Sequence, residues 1–396
     1  MSQALAATKA RNRRSKWLVI GSIIGILVLA GIGTAVGVVV SRNNKTSNSS
    51  NGSSSSGSTS GSTGNSSGPS NVDIGDDPSV FDLDPRLHKS FYGMAYTPHN
   101  ALIELGCGNT LEGTIADIQV ISQLTTRIRL YGADCNQTAQ VLEAIRQTKV
   151  NLEVFVGIYT MAEDHDAYLR QAATIREAIE TYGTDHIAGV TVGNEFMLNW
   201  VTGQGASSPN DAIAKEGSDI LVADIQATKQ MLEDMNLPKR VPVGNSDAGS
   251  YFATDVMEVM DYGASLLSNV HAWFANTTEA ESAQWVFDFF DEFNVRPAAA
   301  LANNPEMYIA ETGWPTAATD AGSSTNGFGT ASEAGLQTFM DTFVCQANAQ
   351  GVKYFFFEMF DEKWKEDKFG GVEGFWGVFN GDRTLKNVVI PDCPLA

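Results

Sequence analysis

Along this chain, short runs of apolar, mostly β-branched or aromatic residues alternate with longer stretches whose apolar positions recur every three or four residues. The first pattern is that of a buried strand, the second that of an amphipathic helix. From Phe91 onward the strand-like runs are Phe91–Tyr96, Thr126–Tyr131, Asn151–Val156, Ala188–Asn194, Val241–Asn245, Asn269–Ala275, Met307–Ala310 and Lys353–Met359. Between them, Asp164–Tyr182 places Ala167, Leu169, Ala172, Ile175, Ala178 and Ile179 near a 3.6-residue period. Asp219–Met235 and Ala331–Ala349 read similarly. Eight strands separated by helices over roughly 300 residues predict an α/β fold, a (β/α)8 TIM barrel, spanning 86–396. A doubly wound open sheet is the alternative, but it needs a glycine-rich phosphate turn after an early strand. Tyr92-Gly93-Met94 does not supply one.

Ahead of the barrel the patterning changes. Residues 1–16 hold five cations and no acid, a basic tail expected in the cytoplasm. Trp17–Val40 then runs 24 residues without a charge. At about 1.5 Å per residue such a helix crosses a ~30 Å hydrocarbon core with some tilt. Only Arg42 and Lys45 follow closely, so the charge bias predicts a signal-anchor of a single-pass type II membrane protein, with everything after Val40 outside. A cleaved signal peptide, with Gly33-Thr34-Ala35 as the small-residue site, is the competing reading. Residues 41–85 are rich in Ser, Gly, Thr and Asn. They bury too little apolar surface to fold and predict a disordered stalk. Six Asn-x-Ser/Thr sequons, among them those at Asn136 and Asn276, fit a secretory route.

Charge and cysteines narrow the chemistry. The formal net charge is −20, and the first 45 residues contribute +7, leaving −27 for the rest. So acidic a domain repels nucleic acid and anionic polymers and suits a neutral ligand. All four cysteines, Cys107, Cys135, Cys345 and Cys393, lie beyond the apolar span. In an oxidising exterior an even number predicts two disulfides. Of the three pairings, Cys107–Cys135 and Cys345–Cys393 are favoured: Cys107 precedes the first predicted helix and Cys135 follows the next strand, at the same end of a barrel. No CxxC motif or His/Cys cluster is present, so neither a metal nor another cofactor is expected.

Two strand-like runs end on a glutamate. Ala188–Glu195 reads AGVTVGNE and Glu306–Pro315 reads EMYIAETGWP. A carboxylate at the end of a buried strand costs free energy unless it is paired or functional. Counting strands, Glu195 closes the fourth and Glu311 the seventh, at the carboxyl-end face where barrel active sites lie. Two carboxylates facing each other across that mouth suit glycoside hydrolysis, in which one donates a proton to the leaving oxygen and the other attacks the anomeric carbon.

In this order and on these strands, TVGNE and ETGWP resemble the motifs of glycoside hydrolase family 17, the β-1,3-glucanases and related transglycosylases. Arg129-Leu130-Tyr131, the block Phe355–Glu358 with Phe360-Asp361-Glu362 and Trp364-Lys365, and Gly371–Asn380 are similar to further elements of the family's fungal branch. The resemblance covers most of Phe91–Lys386. It implies a membrane-anchored, retaining, endo-acting β-1,3-glucan hydrolase of the cell wall, acting as a monomer. Glu195 would be the proton donor and base, Glu311 the nucleophile, and Asn194 the partner of the sugar 2-hydroxyl. Arg129 is expected to orient Glu311 and keep it ionised, with His271 as a second partner. Tyr96, Tyr131, Trp273 and Trp314 end strands or follow them and are candidates to touch sugar, against the reading that each is a core aromatic. Glu358, Asp361 and Glu362 either hydrogen-bond sugar hydroxyls or pair with Lys365. A glucanosyltransferase shares every catalytic residue with the hydrolase. A non-catalytic glucan-binding protein would tolerate loss of one carboxylate, and neither is lost.

Overall fold

A computed structural model describes residues 76–261 and 265–395. The expected membrane span and most of the stalk lie outside the described residues, among which no helix is long and apolar enough to cross a membrane. Contact with the barrel begins before the expected start at 86: Pro78 accepts from the Gln119 side chain, and the Asp84 amide donates to Gln123.

Eight parallel strands close into a barrel in sequence order. They are β1 (Gly93–Ala95), β2 (Arg127–Arg129), β3 (Glu153–Ile158), β4 (Ile187–Asn194), β5 (Val243–Ala248), β6 (Ser265–Asn269), β7 (Met307–Thr312) and β8 (Tyr354–Phe356). The main helices between them are α1 (Leu111–Ile121), α2 (Gln137–Thr148), α3 (His165–Tyr182), α4 (Phe196–Gly203), α5 (Lys215–Asp234), α6 (Thr254–Val259), α7 (Glu279–Phe290), α8 (Arg296–Ala299), α9 (Glu333–Gln350) and α10 (Lys363–Phe369). Helices α1, α3 and α9 start where a side-chain oxygen of Thr110, Asp164 or Ser332 accepts from a first-turn amide. That is the ordinary reason for short polar residues ahead of an apolar period.

The barrel interior divides into an aromatic floor and a polar mouth. Near the amino ends of the strands, Tyr92, Phe155, Tyr308 and Phe355 meet with ring centroids 5.2–6.3 Å apart. Gly93 has no Cβ because one there would lie 2.5 Å from the Phe355 ring. The carboxyl ends carry Arg129, Ser246, Asn269 and Glu311, all buried. Hydrophobic burial closes one end of the barrel, and polar groups desolvated at the other must satisfy one another.

The strand boundaries shift by one to three residues at most ends, and the fifth and sixth strands differ most from expectation. The fifth strand runs on to Ala248 and the sixth ends at Asn269, where a strand over Asn269–Ala275 was expected. Ala272–Ala275 is a 3₁₀ turn, and its Trp273 packs edge-on against Trp314 at 5.3 Å. Aromatic content there reflects packing outside the sheet, whereas polar Asn245-Ser246-Asp247 is true strand because each side chain is satisfied: Asn245 donates to the Val192 carbonyl, Ser246 bonds Arg129 in the mouth, and Asp247 accepts from the Met197 and Leu198 amides.

Both expected disulfides are present. Cys107–Cys135 joins the loops after β1 and β2, and Cys345–Cys393 ties the C-terminal segment to α9.

Candidate active site

The sequence Thr191-Val192-Gly193-Asn194-Glu195 ends β4 with a change of register against β5. Gly193 sits at φ 81°, and Glu195 itself is left-handed at φ 53°, ψ 31°. A non-glycine residue in that region costs on the order of 1–3 kcal/mol. What holds it is local. The Glu195 amide donates to the Ser246 carbonyl, and the carboxylate of Asp247 accepts from the Met197 and Leu198 amides at 2.8 and 3.1 Å, capping α4. The bulge and the cap turn the chain so that the Glu195 side chain points into the mouth.

Glu311 lies in β7 and is almost fully buried, 5 % exposed. Arg129 Nη1 donates to its Oε1 at 2.8 Å, and His271 Nε2 donates to its Oε2 at 3.1 Å. Next along the chain, Gly313 lets the Phe357 backbone pass, since a Cβ there would lie 1.9 Å from the Phe357 carbonyl oxygen. The Arg129 guanidinium is entirely buried. Its Nη2 reaches Asn194 Oδ1 at 2.6 Å and Ser246 Oγ at 2.8 Å. The Tyr131 ring stacks on it, with the guanidinium carbon 4.2 Å from the ring centroid.

These surroundings push two like carboxyls apart. Burial, and then the negative charge of Glu311, raise Glu195 to about 7. Burial opposes ionisation of Glu311 too, but the His271 hydrogen bond and the Arg129 charge outweigh it and hold that carboxyl at about 2. Near neutral pH Glu195 can hold a proton while its neighbour Glu311 is ionised. That division is the one acid–base chemistry on two carboxylates requires.

On the β8 side, Lys365 Nζ donates to Glu358 Oε2 at 2.7 Å, lies 3.2 Å from Glu362 Oε2, and sits 4.6 Å above the Phe357 ring. Glu358 keeps a buried oxygen without a protein partner, as does the Tyr131 hydroxyl. Trp364 is half-buried, its Nε1 donating to Glu362 at 2.6 Å. Glu373 also belongs to this neighbourhood, its carboxyl raised by burial with Lys365, His271 and Glu311 acting on it.

Four expected sugar contacts are placed elsewhere. The Tyr96 hydroxyl is buried between β1 and α1, donating at 2.7 Å to Asp117 Oδ2, while Arg383 donates to the other oxygen of that carboxyl. Trp314 is wholly buried, donating to the Thr330 carbonyl, and Trp273 packs edge-on against it. Asp361 spends its Oδ1 on Lys386 and the Gly377 amide, fastening the C-terminal segment. The mouth gathers Glu195, Glu311, Asn194, Arg129, Tyr131, His271, Glu358, Glu362 and Lys365.

Several participants escaped sequence reading. Ser246, Asp247 and Asn269 are polar residues inside buried strands, the same signal that marked the two glutamates. Trp376 packs 5.0 Å from His271 with a buried, unpartnered Nε1, and a lone Trp in a loop gave no sign of it.

A closed (β/α)8 barrel with an acid and an ionised carboxylate at its mouth is the architecture of a glycoside hydrolase. Residues 93–377 match the BtgE/BtgC glycoside hydrolase domain, and the chain belongs to that family. It is 33 % identical over 350 residues to a probable glucan endo-1,3-beta-glucosidase btgC of Aspergillus flavus, covering 82 % of this chain and 47 % of that protein. It is 29 % identical over 323 residues to the glucan endo-1,3-beta-glucosidase btgC of Emericella nidulans, covering 78 % and 47 %. The chain therefore spans about half the length of the curated relatives it matches. In fold it is similar to a glycoside hydrolase family 17 beta-1,3-glucanosyltransferase from Rhizomucor miehei, with a TM-score of 0.60 and 20 % identity over 77 % of this chain and 99 % of that one. An endo-laminarinase from Formosa superposes with a TM-score of 0.58 and 16 % identity, over 76 % and 86 %.

Proposed function

We propose that this protein cleaves β-1,3-glucan by a retaining, endo-acting mechanism through a covalent glycosyl-enzyme intermediate. The observation that carries the reading is the opposed acidity of Glu195 and Glu311 across one mouth. Family relatives named glucan endo-1,3-beta-glucosidases supply the linkage. A related fold has been crystallised as an active-site mutant with laminaritriose.

The residues divide the work as follows. Ionised Glu311 attacks the anomeric carbon while protonated Glu195 gives its proton to the departing glycosidic oxygen. Arg129 and His271 hold the attacking carboxylate in place before the reaction, so no reorganisation is needed as it acts. Asn194, its Oδ1 engaged by Arg129, keeps its amide donor for the sugar 2-hydroxyl. Tyr131, Glu358 and Lys365 meet hydroxyls of the sugar beside the cleavage point. Glu195, now ionised, then takes a proton from the incoming hydroxyl that releases the sugar.

That incoming hydroxyl belongs to water in hydrolysis and to a second glucan chain in transfer. Both routes use the same carboxylates. Incubation with laminari-oligosaccharides and chain-length analysis separates them. Hydrolysis gives only shorter products, and products longer than the substrate overturn the hydrolase reading in favour of a glucanosyltransferase. Binding without turnover would point to a non-catalytic glucan-binding protein.

The setting is part of the proposal. The uncharged Trp17–Val40 span, its basic flank and the two disulfides support a type II membrane protein whose barrel faces the cell wall. An N-terminally tagged chain should stay in the membrane pellet after carbonate washing. A mature chain beginning near Val36 would instead make it a secreted enzyme.

A further inference from the structure

The two carboxylates are joined by a one-way chain of hydrogen bonds, and we infer that Ser246 and Asn269 are positioning residues that fix which oxygen of Glu195 carries the catalytic proton. The inference rests on the proposed role of Glu195 as acid and base.

Its direction follows from donor and acceptor chemistry. A guanidinium has donors and no acceptor. Arg129 Nη2 therefore donates to Ser246 Oγ at 2.8 Å. The Ser246 hydroxyl, having accepted there, turns its own hydrogen elsewhere. Its shorter acceptor is Asn269 Oδ1 at 3.2 Å, against 3.4 Å to Asn194 Oδ1, which already takes the 2.6 Å bond from Arg129. With Oδ1 of Asn269 thus assigned, its Nδ2 is the atom that faces Glu195, and it donates to Oε1 at 3.2 Å. The same Nδ2 lies 3.5 Å from Asn194 Oδ1. All three relay residues are buried: Arg129 and Ser246 are 0 % exposed and Asn269 is 6 %.

Glu195 Oε1 is consequently an acceptor and carries no proton. The proton belongs on Oε2, the oxygen left for the glycosidic bond. As that proton leaves, negative charge develops on the carboxylate and the Asn269 bond strengthens, so the relay favours the transition state over the bound substrate. The other end of the chain is the Arg129 contact to Glu311, and one buried guanidinium orders both reacting groups.

The charged and titratable groups around Glu195 are Glu311 from β7, His271 after β6, Glu373 from the segment after β8, Asp247 from β5 and Tyr159 after β3. Arg129 of β2 reaches it through Asn194 and the relay. None of these changes in Asn269→Ala or Asn269→Leu, so a shift in the Glu195 titration in either variant reports the lost bond.

The test compares Asn269→Ala and the near-isosteric, uncharged Asn269→Leu with wild type and Ser246→Ala. Two substrates are used: laminaritetraose, whose leaving group needs a proton, and 2,4-dinitrophenyl β-laminaribioside, whose leaving group does not. Wild-type turnover and recovery of Glu195→Ala on the dinitrophenyl substrate establish the underlying role; their failure counts against the acid–base assignment itself. Given that, Asn269→Ala should lose about 10²-fold in kcat/KM on laminaritetraose, within the ~10²–10⁴ that general acid catalysis supplies, and change less than about threefold on the aryl substrate. Its basic limb should move up by roughly one pH unit, because the lost bond stabilised the ionised form. Asn269→Leu fills nearly the same space with neither donor nor charge and should show the same selective loss at neutral pH. Ser246→Ala releases the amide to flip and should give a smaller version of the same signature. An Asn269→Leu enzyme with wild-type pH profile, or equal losses on both substrates in a variant of unchanged melting temperature, would overturn the relay. If Asn269→Ala fails to fold, the near-isosteric Asn269→Leu and Ser246→Ala decide the matter alone.

Discussion

A glutamate is a weak acid of ordinary strength in water, and this site makes two different reagents from it by choosing neighbours. Glu195 receives burial, a nearby negative charge and one amide donor, while Glu311 receives a guanidinium and an imidazole N–H. The free enzyme should accordingly show a bell-shaped kcat/KM with a basic limb near 7 from Glu195 and an acid limb near 2 from Glu311. Glu311→Ala should lose about 10⁴-fold or more in turnover, as removal of a covalent nucleophile does. Azide should rescue an α-linked product. Glu195 also links pH to stability. Its carboxyl stands at about 7 in the folded chain and 4.5 without the protein environment, so the folded state binds the extra proton between those values. That contribution is complete below pH 4.5 and is lost as pH rises through 7. Thermal denaturation of wild type should weaken by on the order of 2 kcal/mol from pH 5 to pH 8, the full shift being discounted because Glu195 is only partly buried. Glu195→Gln should flatten that slope; an unchanged slope would show that Glu195 is not the group responsible. Glu311 has the opposite sign, and its contribution is lost only as pH falls through about 2.

Strands and helices place these residues through details finer than hydrophobic periodicity. The bulge at the end of β4 and the left-handed Glu195 depend on Asp247, which the next strand supplies as a cap for α4. Asp247→Ala should destabilise the fold by about 1–3 kcal/mol, since buried amides lose their acceptor, and should reduce turnover by releasing Glu195. A variant that melts lower yet turns over normally would show that the cap does not position the acid. Sequence patterning found all eight strands because a barrel strand is apolar on both faces over much of its length. It misplaced the sixth for a reason that is itself physical. The run Val270–Ala275 is apolar because Trp273 packs against Trp314 beyond the sheet, whereas Ser268 and Asn269, true strand, carry polar side chains. The two glutamates were legible because they follow apolar strands in motifs. Ser246 and Asn269 bear the same mark of buried polarity, but it takes the register of neighbouring strands to show that they meet.

At the scale of the molecule, the ends of the barrel are fastened by covalent and polar ties. Cys345–Cys393 closes 48 residues, and Asn348 of α9 donates to the carbonyls of Ser90 and Pro394. Replacing both cysteines by serine should cost ~2–4 kcal/mol, read as a fall in melting temperature of about 2–4 °C per kcal/mol, with turnover at 25 °C retained. Equal stability of the two forms would remove the disulfide from the account. Fold class and cysteine pairing were legible in the sequence because both follow from element order. The real neighbours of Tyr96, Trp273, Trp314 and Asp361 were not, because strand-end position alone does not say whether a side chain turns inward to the mouth or outward to a helix. The central claim is that one ionised carboxylate attacks while one protonated carboxyl assists, giving retention by double displacement. NMR of the first-formed anomer, recorded within seconds of mixing wild-type enzyme with laminari-oligosaccharide, tests it most directly. The account predicts the β anomer, and an α anomer would contradict it.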